Sequence, residues 1–197
     1  VENNSAGSSG GGIRGNNSTF TNVTVENNST SCSGGGILSR NSTFTNVTVE
    51  NNSAVSSGGS GGGIFGSGTF TDVTIENNSA VSSGGGINIT STSTLVRVNI
   101  RGNESRFSVG GGLFSFRDDI DLTEVMFVGN AAGNRSNDLG GGAYIADATL
   151  RAVNVQFVGN EAPGTGGGGL FLINTGGSLI NTVFSGNTAS SGGGLYL

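Results

Sequence analysis

The sequence predicts an all-β fold, a parallel β-helix (solenoid) of about eight coils of 24–30 residues. Two alternating motifs and a period-two strand pattern carry that reading. The first motif is Gly-Gly-Gly followed by an apolar or small residue: Ile13, Ile37, Ile64, Ile87, Leu113, Ala143, Leu170 and Leu195. The second is an apolar residue, two others, then Asn, as in Val25 to Asn28 and Phe127 to Asn130. The closing asparagines are Asn4, Asn28, Asn52, Asn78, Asn103, Asn130, Asn160 and Asn187, spaced 24, 24, 26, 25, 27, 30 and 27 residues apart. Self-similarity at such a period marks a repeat architecture. Extra residues fall in one connection, near 53–60 and 131–139, as a solenoid tolerates in a surface loop.

The strands follow from alternation. In Phe20-Thr-Asn-Val-Thr-Val-Glu26, Val23 and Val25 share one side, and Asn22, Thr24 and Glu26 the other. Residues 44–50 and 70–76 repeat it. Period two with β-branched and aromatic residues reads as strand. Helix is excluded: no 3.6-residue apolar stripe occurs, and each of the many glycines would cost a helix about 1 kcal/mol. Stacked at about 4.8 Å, eight coils make a rod of roughly 40 Å. The expected core is the residue after each Gly triplet, Phe20, Phe44, Phe70, Leu95, Leu122 and Leu179, and pairs like Val23 and Val25. Gly triplets supply backbone angles at a sharp corner. The recurrent asparagines form a second corner, because Asn tolerates the left-handed region and can bond its stacked copies.

Composition fits so sparse a core. Hydrophobic residues are 33% and charged residues 11% of the 197, with 39 glycines and one cysteine. The net charge is -5 and all eight basic residues are Arg. Nucleic acid needs a clustered basic face, so it is not an expected partner. No stretch approaches the roughly 20 apolar residues of a membrane span, so no membrane insertion is expected in this segment. Cys32 is expected to be a small buried hydrophobe. Residues 1–197 read as a single repeat domain, a segment of a longer solenoid or a unit that stacks end to end.

The two motifs resemble the repeats of the polymorphic membrane protein family, known from chlamydial autotransporter adhesins. That family pairs a Gly-Gly-Ala-Ile type motif with Phe-x-x-Asn. Phe127-Val-Gly-Asn130, Phe157-Val-Gly-Asn160 and Phe184-Ser-Gly-Asn187 match the second fully, and Gly141-Gly142-Ala143-Tyr144 is close to the first. Elsewhere Val or Ile replaces Phe, and a third Gly replaces Ala. The resemblance implies a right-handed β-helix at a cell surface, serving adhesion or structure, with no catalytic residues carried over.

N-glycosylation sequons give a second line of inference. The candidate acceptors are Asn3, Asn16, Asn22, Asn27, Asn41, Asn46, Asn51, Asn77, Asn88 and Asn134. Asn22 and Asn46 are expected mid-strand on the outward face, and Asn3, Asn27, Asn51 and Asn77 in a column beside the corners. Asn17, Asn28 and Asn103 also open sequons, but as corner residues Asn28 and Asn103 are expected to stay unmodified. The resulting expectation is an extracellular or cell-surface structural or adhesive glycoprotein. Its expected partners are copies of itself or further coils of the same solenoid, carbohydrate, or other surface proteins. No cofactor is expected beyond N-linked glycans.

The alternative is a carbohydrate-active or carbohydrate-binding β-helix. Its only dense candidate is Arg117-Asp118-Asp119-Ile120-Asp121, where alternation puts Asp119 and Asp121 on one face for calcium or acid–base work. Three further columns stand out. Glu2, Glu26, Glu50 and Glu76 stack like charges, which destabilises a sheet unless the side chains splay or a cation bridges them. Arg14, Leu38, Phe65, Asn88, Phe114, Tyr144, Phe171 and Tyr196 should face outward as a stripe suited to a partner or carbohydrate. Thr21, Thr45 and Thr71, with Thr24, Thr48 and Thr74, are similar to the columns of ice-binding β-helices. Their end near residue 75 weighs against that use.

Overall fold

Hydrogen-bonding groups on a strand edge must find partners, and here each strand finds them on the same strand of the next coil. The computed structural model describes residues 1–133, 138–164 and 166–197. Every strand pairing is parallel, within one sheet of 18 strands and one of eight. Eight stacked copies of the repeat make about seven turns. Among the described residues there is no helix.

Four strand columns run along the rod. One follows the Gly triplets, from Ile13–Arg14 through Leu113–Phe116 to Leu195–Tyr196. A middle column holds segments such as Ser93–Val96 and Thr149–Val153, and a third precedes the asparagine, as in Met126–Val128. The eight-stranded sheet is the fourth, of two-residue strands from Ser5–Ala6 to Thr188–Ala189. Ile37–Glu50 spans the first three columns in one coil.

The interior is a set of vertical stacks. Ile37, Ile64, Ile87, Leu113, Ala143 and Leu170 are fully buried in the first. Phe44, Phe70, Leu95, Leu122 and Ala152 fill the second, and Val49, Ile75, Ile100, Phe127 and Phe157 the third. The large residue changes column along the rod. Phe44 sits with Val49 and Phe70 with Ile75, whereas Leu122 sits with Phe127 and Ala152 with Phe157. Each coil keeps a similar cross-section, as a close-packed core requires. Phe44 and Phe70 stack at 4.5 Å and Phe127 and Phe157 at 4.7 Å between ring centroids. Ile13, Phe20, Val23, Leu179, Phe184 and Leu195 pack against this core only partly buried.

Two interior features were not expected. Ala54, Ala80, Ala132 and Ala162 form a small-residue stack two positions after the corner Asn, joined by Ser105. Ser39, Ser42, Ser67, Ser93 and Ser115 are buried at another bend. There Ser39 and Ser42 bond each other at 2.7 Å, and Ser115 donates to the Asp118 carbonyl at 2.9 Å. Cys32 corrects its expectation: it is exposed, because it lies in the connection between Ser29–Thr30 and the Gly triplet rather than on a strand.

The Gly triplet serves two purposes. Its first residue takes the left-handed conformation, φ 72° at Gly34. Its second is a close approach between coils: a Cβ on Gly35 would collide with the Gly62 carbonyl oxygen and the Ser53 backbone. Replacing Gly35 by Ala should therefore cost about 1–3 kcal/mol through overpacking. Gly58→Ala, with open space around it, should be near neutral. Urea unfolding of the two variants separates them.

Candidate functional site

The most organised polar feature is the corner asparagine ladder. Asn28, Asn52, Asn78, Asn103, Asn130 and Asn160 are each at most 1% exposed. Each Oδ1 accepts from both the backbone N and the Nδ2 of the asparagine one coil earlier, as Asn78 does from Asn52 at 2.9 and 3.0 Å. Each Nδ2 also donates to a carbonyl of the preceding coil, Asn52 to Val25 at 2.9 Å and Asn78 to Val49 at 2.9 Å. One side chain thus ties three coils. Asn4 is exposed and Asn187 half-buried at the two ends. Asn28 and Asn103 spend their amide hydrogens inside this ladder, so a glycosidic bond there would break it.

The outward asparagines stand in a different state. Asn3, Asn27, Asn51 and Asn77 are exposed at φ 58°, 55°, 56° and 54°. The column continues in the same conformation as Gly102, Gly129, Gly159 and Gly186. Asn22 and Asn46 are exposed too, within the strands Thr19–Glu26 and Ile37–Glu50. At φ 55° and 52° they turn a left-handed bend, and Asn46 Nδ2 donates to Asn22 Oδ1 at 2.8 Å. Their column continues as Asp72, Arg97, Glu124, Asn154 and Asn181, all left-handed. Arg97 grips Asp72 there at 2.6 and 2.9 Å. Asn16 and Asn41 are exposed, and Asn16 Oδ1 accepts from the Arg40 backbone N at 3.0 Å.

Two acceptors leave the outward set. Asn88 is 7% exposed, in register between Phe65 and Phe114, so a glycan root there would have to displace those neighbours. Asn134 lies outside the described residues.

In the aromatic column Phe114 and Tyr144 are half-buried, Phe171 is buried and Tyr196 is exposed. Phe114, Tyr144, Phe171 and Tyr196 stack face to face at 5.5, 5.2 and 4.8 Å, with ring planes within 11°. Tyr144 lies between Phe114 and Phe171, and Phe171 between Tyr144 and Tyr196, so each of the two spends both ring faces on stacked neighbours. A sugar-stacking platform needs free ring faces, and Tyr144 and Phe171 offer none. In the earlier coils Arg14 is exposed, Leu38 is half-buried, and Arg40 lies 5.6 Å over the Phe65 ring.

The acidic segment forms a shallow groove of about 250 Å³, lined by Thr92, Asp119, Ile120, Asp121, Thr149 and Arg151. Asp119 Oδ1 accepts from the Thr149 backbone N at 2.7 Å. Arg151 stands in register beside Asp121. The carboxyl whose pKa is raised, by burial and then by Asp119, is Asp118, and it does not line the groove.

The glutamate column is in register: Glu2 with Glu26, Glu26 with Glu50, Glu50 with Glu76. Arg101 follows and pairs with Glu76. Glu50, between two carboxylates, has its pKa raised by desolvation and then by Glu76 and Glu26.

A family model of the Chlamydia polymorphic membrane protein repeat matches the chain three times, at residues 22–40, 72–90 and 181–197. Each match runs from a left-handed bend through a corner Asn to a Gly triplet, the two devices described above. The chain is thus a parallel β-solenoid with three segments similar to this repeat, a similarity that points towards surface or outer-membrane proteins. No curated protein and no solved structure matches it.

Two predictions follow from these columns. Asn78→Ala removes the acceptor of two buried donors and the donor to Val49. At about 1–3 kcal/mol for each unsatisfied buried group, it should destabilise by about 3 kcal/mol or more, and Asn4→Ala by much less, in denaturant titration. Glu50→Gln should raise the melting temperature at pH 7. The native state holds the Glu50 proton to higher pH than the unfolded chain, so this stability is present in acid and lost as pH rises through the raised pKa. The advantage of the Gln variant should vanish below the ordinary glutamate range.

Proposed function

We propose that this chain, a solenoid of polymorphic membrane protein repeats, is a structural or adhesive rod of an extracellular or cell-surface protein, and that its outward asparagines carry N-linked glycans. Its partners on this reading are further coils or copies of the same solenoid, with carbohydrate or other surface proteins as the adhesive ligand. On this reading the chain works without a catalytic site, which is supported by the asparagine ladder being spent on holding coils together, by Asp119 accepting from a backbone N–H and by Asp121 standing beside Arg151.

One observation carries the glycan reading. The left-handed position before the corner asks only for a residue that tolerates positive φ, and Gly meets that in four coils. Where Asn stands instead, at 3, 27, 51 and 77, the residue two later is Ser5, Ser29, Ser53 or Ser79. Where Gly stands, it is Glu104, Ala131, Glu161 or Thr188. These serines have little structural work; Ser29 Oγ reaches only Ser5 Oγ, at 3.3 Å. Asparagine and serine thus travel together as the acceptor motif requires, beyond what the bend demands.

The test is proteolysis at arginine of the protein from its native source, followed by mass spectrometry. Cleavage leaves Asn22 and Asn27 on residues 15–40, and Asn46, Asn51 and Asn77 on residues 41–97. Hexose and hexosamine increments are expected on both, and a membrane-impermeant thiol-reactive biotin applied to intact cells should label the exposed Cys32. Unmodified peptides would remove the glycan reading. A protein protected from biotin in intact cells would remove the surface reading.

A further inference from the structure

The middle column of the first coils presents a face that neither the ladder nor the sequons explain. Its strands carry Thr-Phe-Thr at 19–21, 43–45 and 69–71. Phe44 and Phe70 are fully buried and Phe20 half-buried, so both threonines of each strand point outward. Thr19, Thr43, Thr69 and Thr94 are in register, and so are Thr21, Thr45 and Thr71. The structure thus adds a second column to Thr21, Thr45 and Thr71 and carries it into the fourth coil.

Among the described residues none of these seven hydroxyls makes a side-chain hydrogen bond, whereas Thr30, Thr175 and Thr182 each donate to a carbonyl. β-Branching restricts their rotamers. The layer beneath is regular, with Phe20, Phe44 and Phe70 stacked at 4.9 and 4.5 Å and ring planes 16° and 6° apart. No charged side chain falls within the two columns until Asp121, in register beyond Thr94.

Such a face is a small lattice of hydroxyl and methyl groups. Its repeat along the rod is the 4.5 to 4.9 Å of the rings beneath it, and along each strand it is about 6.6 Å, two residues of parallel β-strand. A ligand that exploits it must repeat in two dimensions. Ordered water does. In a tetrahedral network with oxygens about 2.75 Å apart, second neighbours lie about 4.5 Å apart, and the layer repeat is about 7.3 Å. Hydroxyls can take the place of lattice waters, and methyls exclude liquid water between them. A sugar chain would want aromatic ring faces, and this face offers none.

We propose that the outward face formed by Thr19, Thr21, Thr43, Thr45, Thr69 and Thr71, with Thr94, binds the surface of ice. Bound chains would pin the growing crystal, so that freezing falls below melting and small crystals resist coarsening.

The test is the gap between melting and freezing temperatures of single ice crystals in solutions of the purified chain, with any N-glycans enzymatically removed. Three proteins are compared at equal concentration. Thr45→Lys puts a charge at the centre of the array. Ser178→Lys puts one on an exposed position of the same outward column, beyond the array. Circular dichroism and melting temperature show that each variant is folded. The expected result is a freezing gap and faceted crystals with the parent chain, loss of both with Thr45→Lys, and retention with Ser178→Lys. No gap with the parent chain, or a gap that survives Thr45→Lys, overturns the proposal.

Discussion

The fold depends on a row of buried amides. An unpaired polar group in a protein interior is expensive, and a rod with only a few apolar residues per coil has little hydrophobic energy to set against it. The corner asparagines settle this by accepting two hydrogen bonds from one neighbouring coil while donating to both. The Gly triplets belong to the same device. The third glycine of a triplet lies against the asparagine of the next coil, where a Cβ on Gly36 would stand 2.9 Å from Asn52 Cγ. The two motifs that alternate along the sequence are thus two halves of one contact. Each needs the other one coil away, which keeps them in step across nearly two hundred residues.

That contact frees the rest of the coil. With the corner fixed, the apolar stacks need only preserve volume, and the exchange of Phe44 with Val49 for Ala152 with Phe157 shows the latitude available. The outward bends need only a residue that tolerates the left-handed region. Asn22, Asp72, Arg97 and Glu124 all serve in one column. Most of these are not glycine, so each bend carries some strain, held in place by stacking on identical neighbours. A coil on its own could not hold it, the usual reason solenoid repeats are stable only together.

Legibility in the sequence tracked this division. The repeat, the strand pattern and most inward residues were readable because the interior repeats its chemistry every coil. Ala54 and Ala80 were not, because small residues carry no apolar signal in a chain rich in Gly and Ser. The buried serines at 39, 42 and 67 look like loop residues for the same reason. Asn22 was read on the correct side but as extended, since strict alternation on both flanks conceals one left-handed residue between them. Asn88 opens a sound sequon, and its burial comes from Phe65 and Phe114, neighbours more than twenty residues away in the chain. Cys32 shows the reverse error: its residue type favours burial, and its place in a connection overrides the type.

The outside of the rod divides where the inside does not. The outward asparagines with acceptor spacing, the free threonines and the stacked glutamates all lie in the first four coils. In the later coils the same register positions hold Gly129 and Gly159, Val128 and Val158, and Arg151, while the column of Arg14 and Leu38 becomes the aromatic stack from Phe114 to Tyr196. The asparagine ladder runs unchanged beneath both halves, so folding does not require the difference. A constraint that stops at the inner face leaves the outer face to be shaped by whatever the surface meets. The two halves of this rod therefore present different surfaces: one of hydroxyls, amides and carboxylates, the other with more exposed apolar side chains such as Phe116, Met126, Ile173 and Ile180.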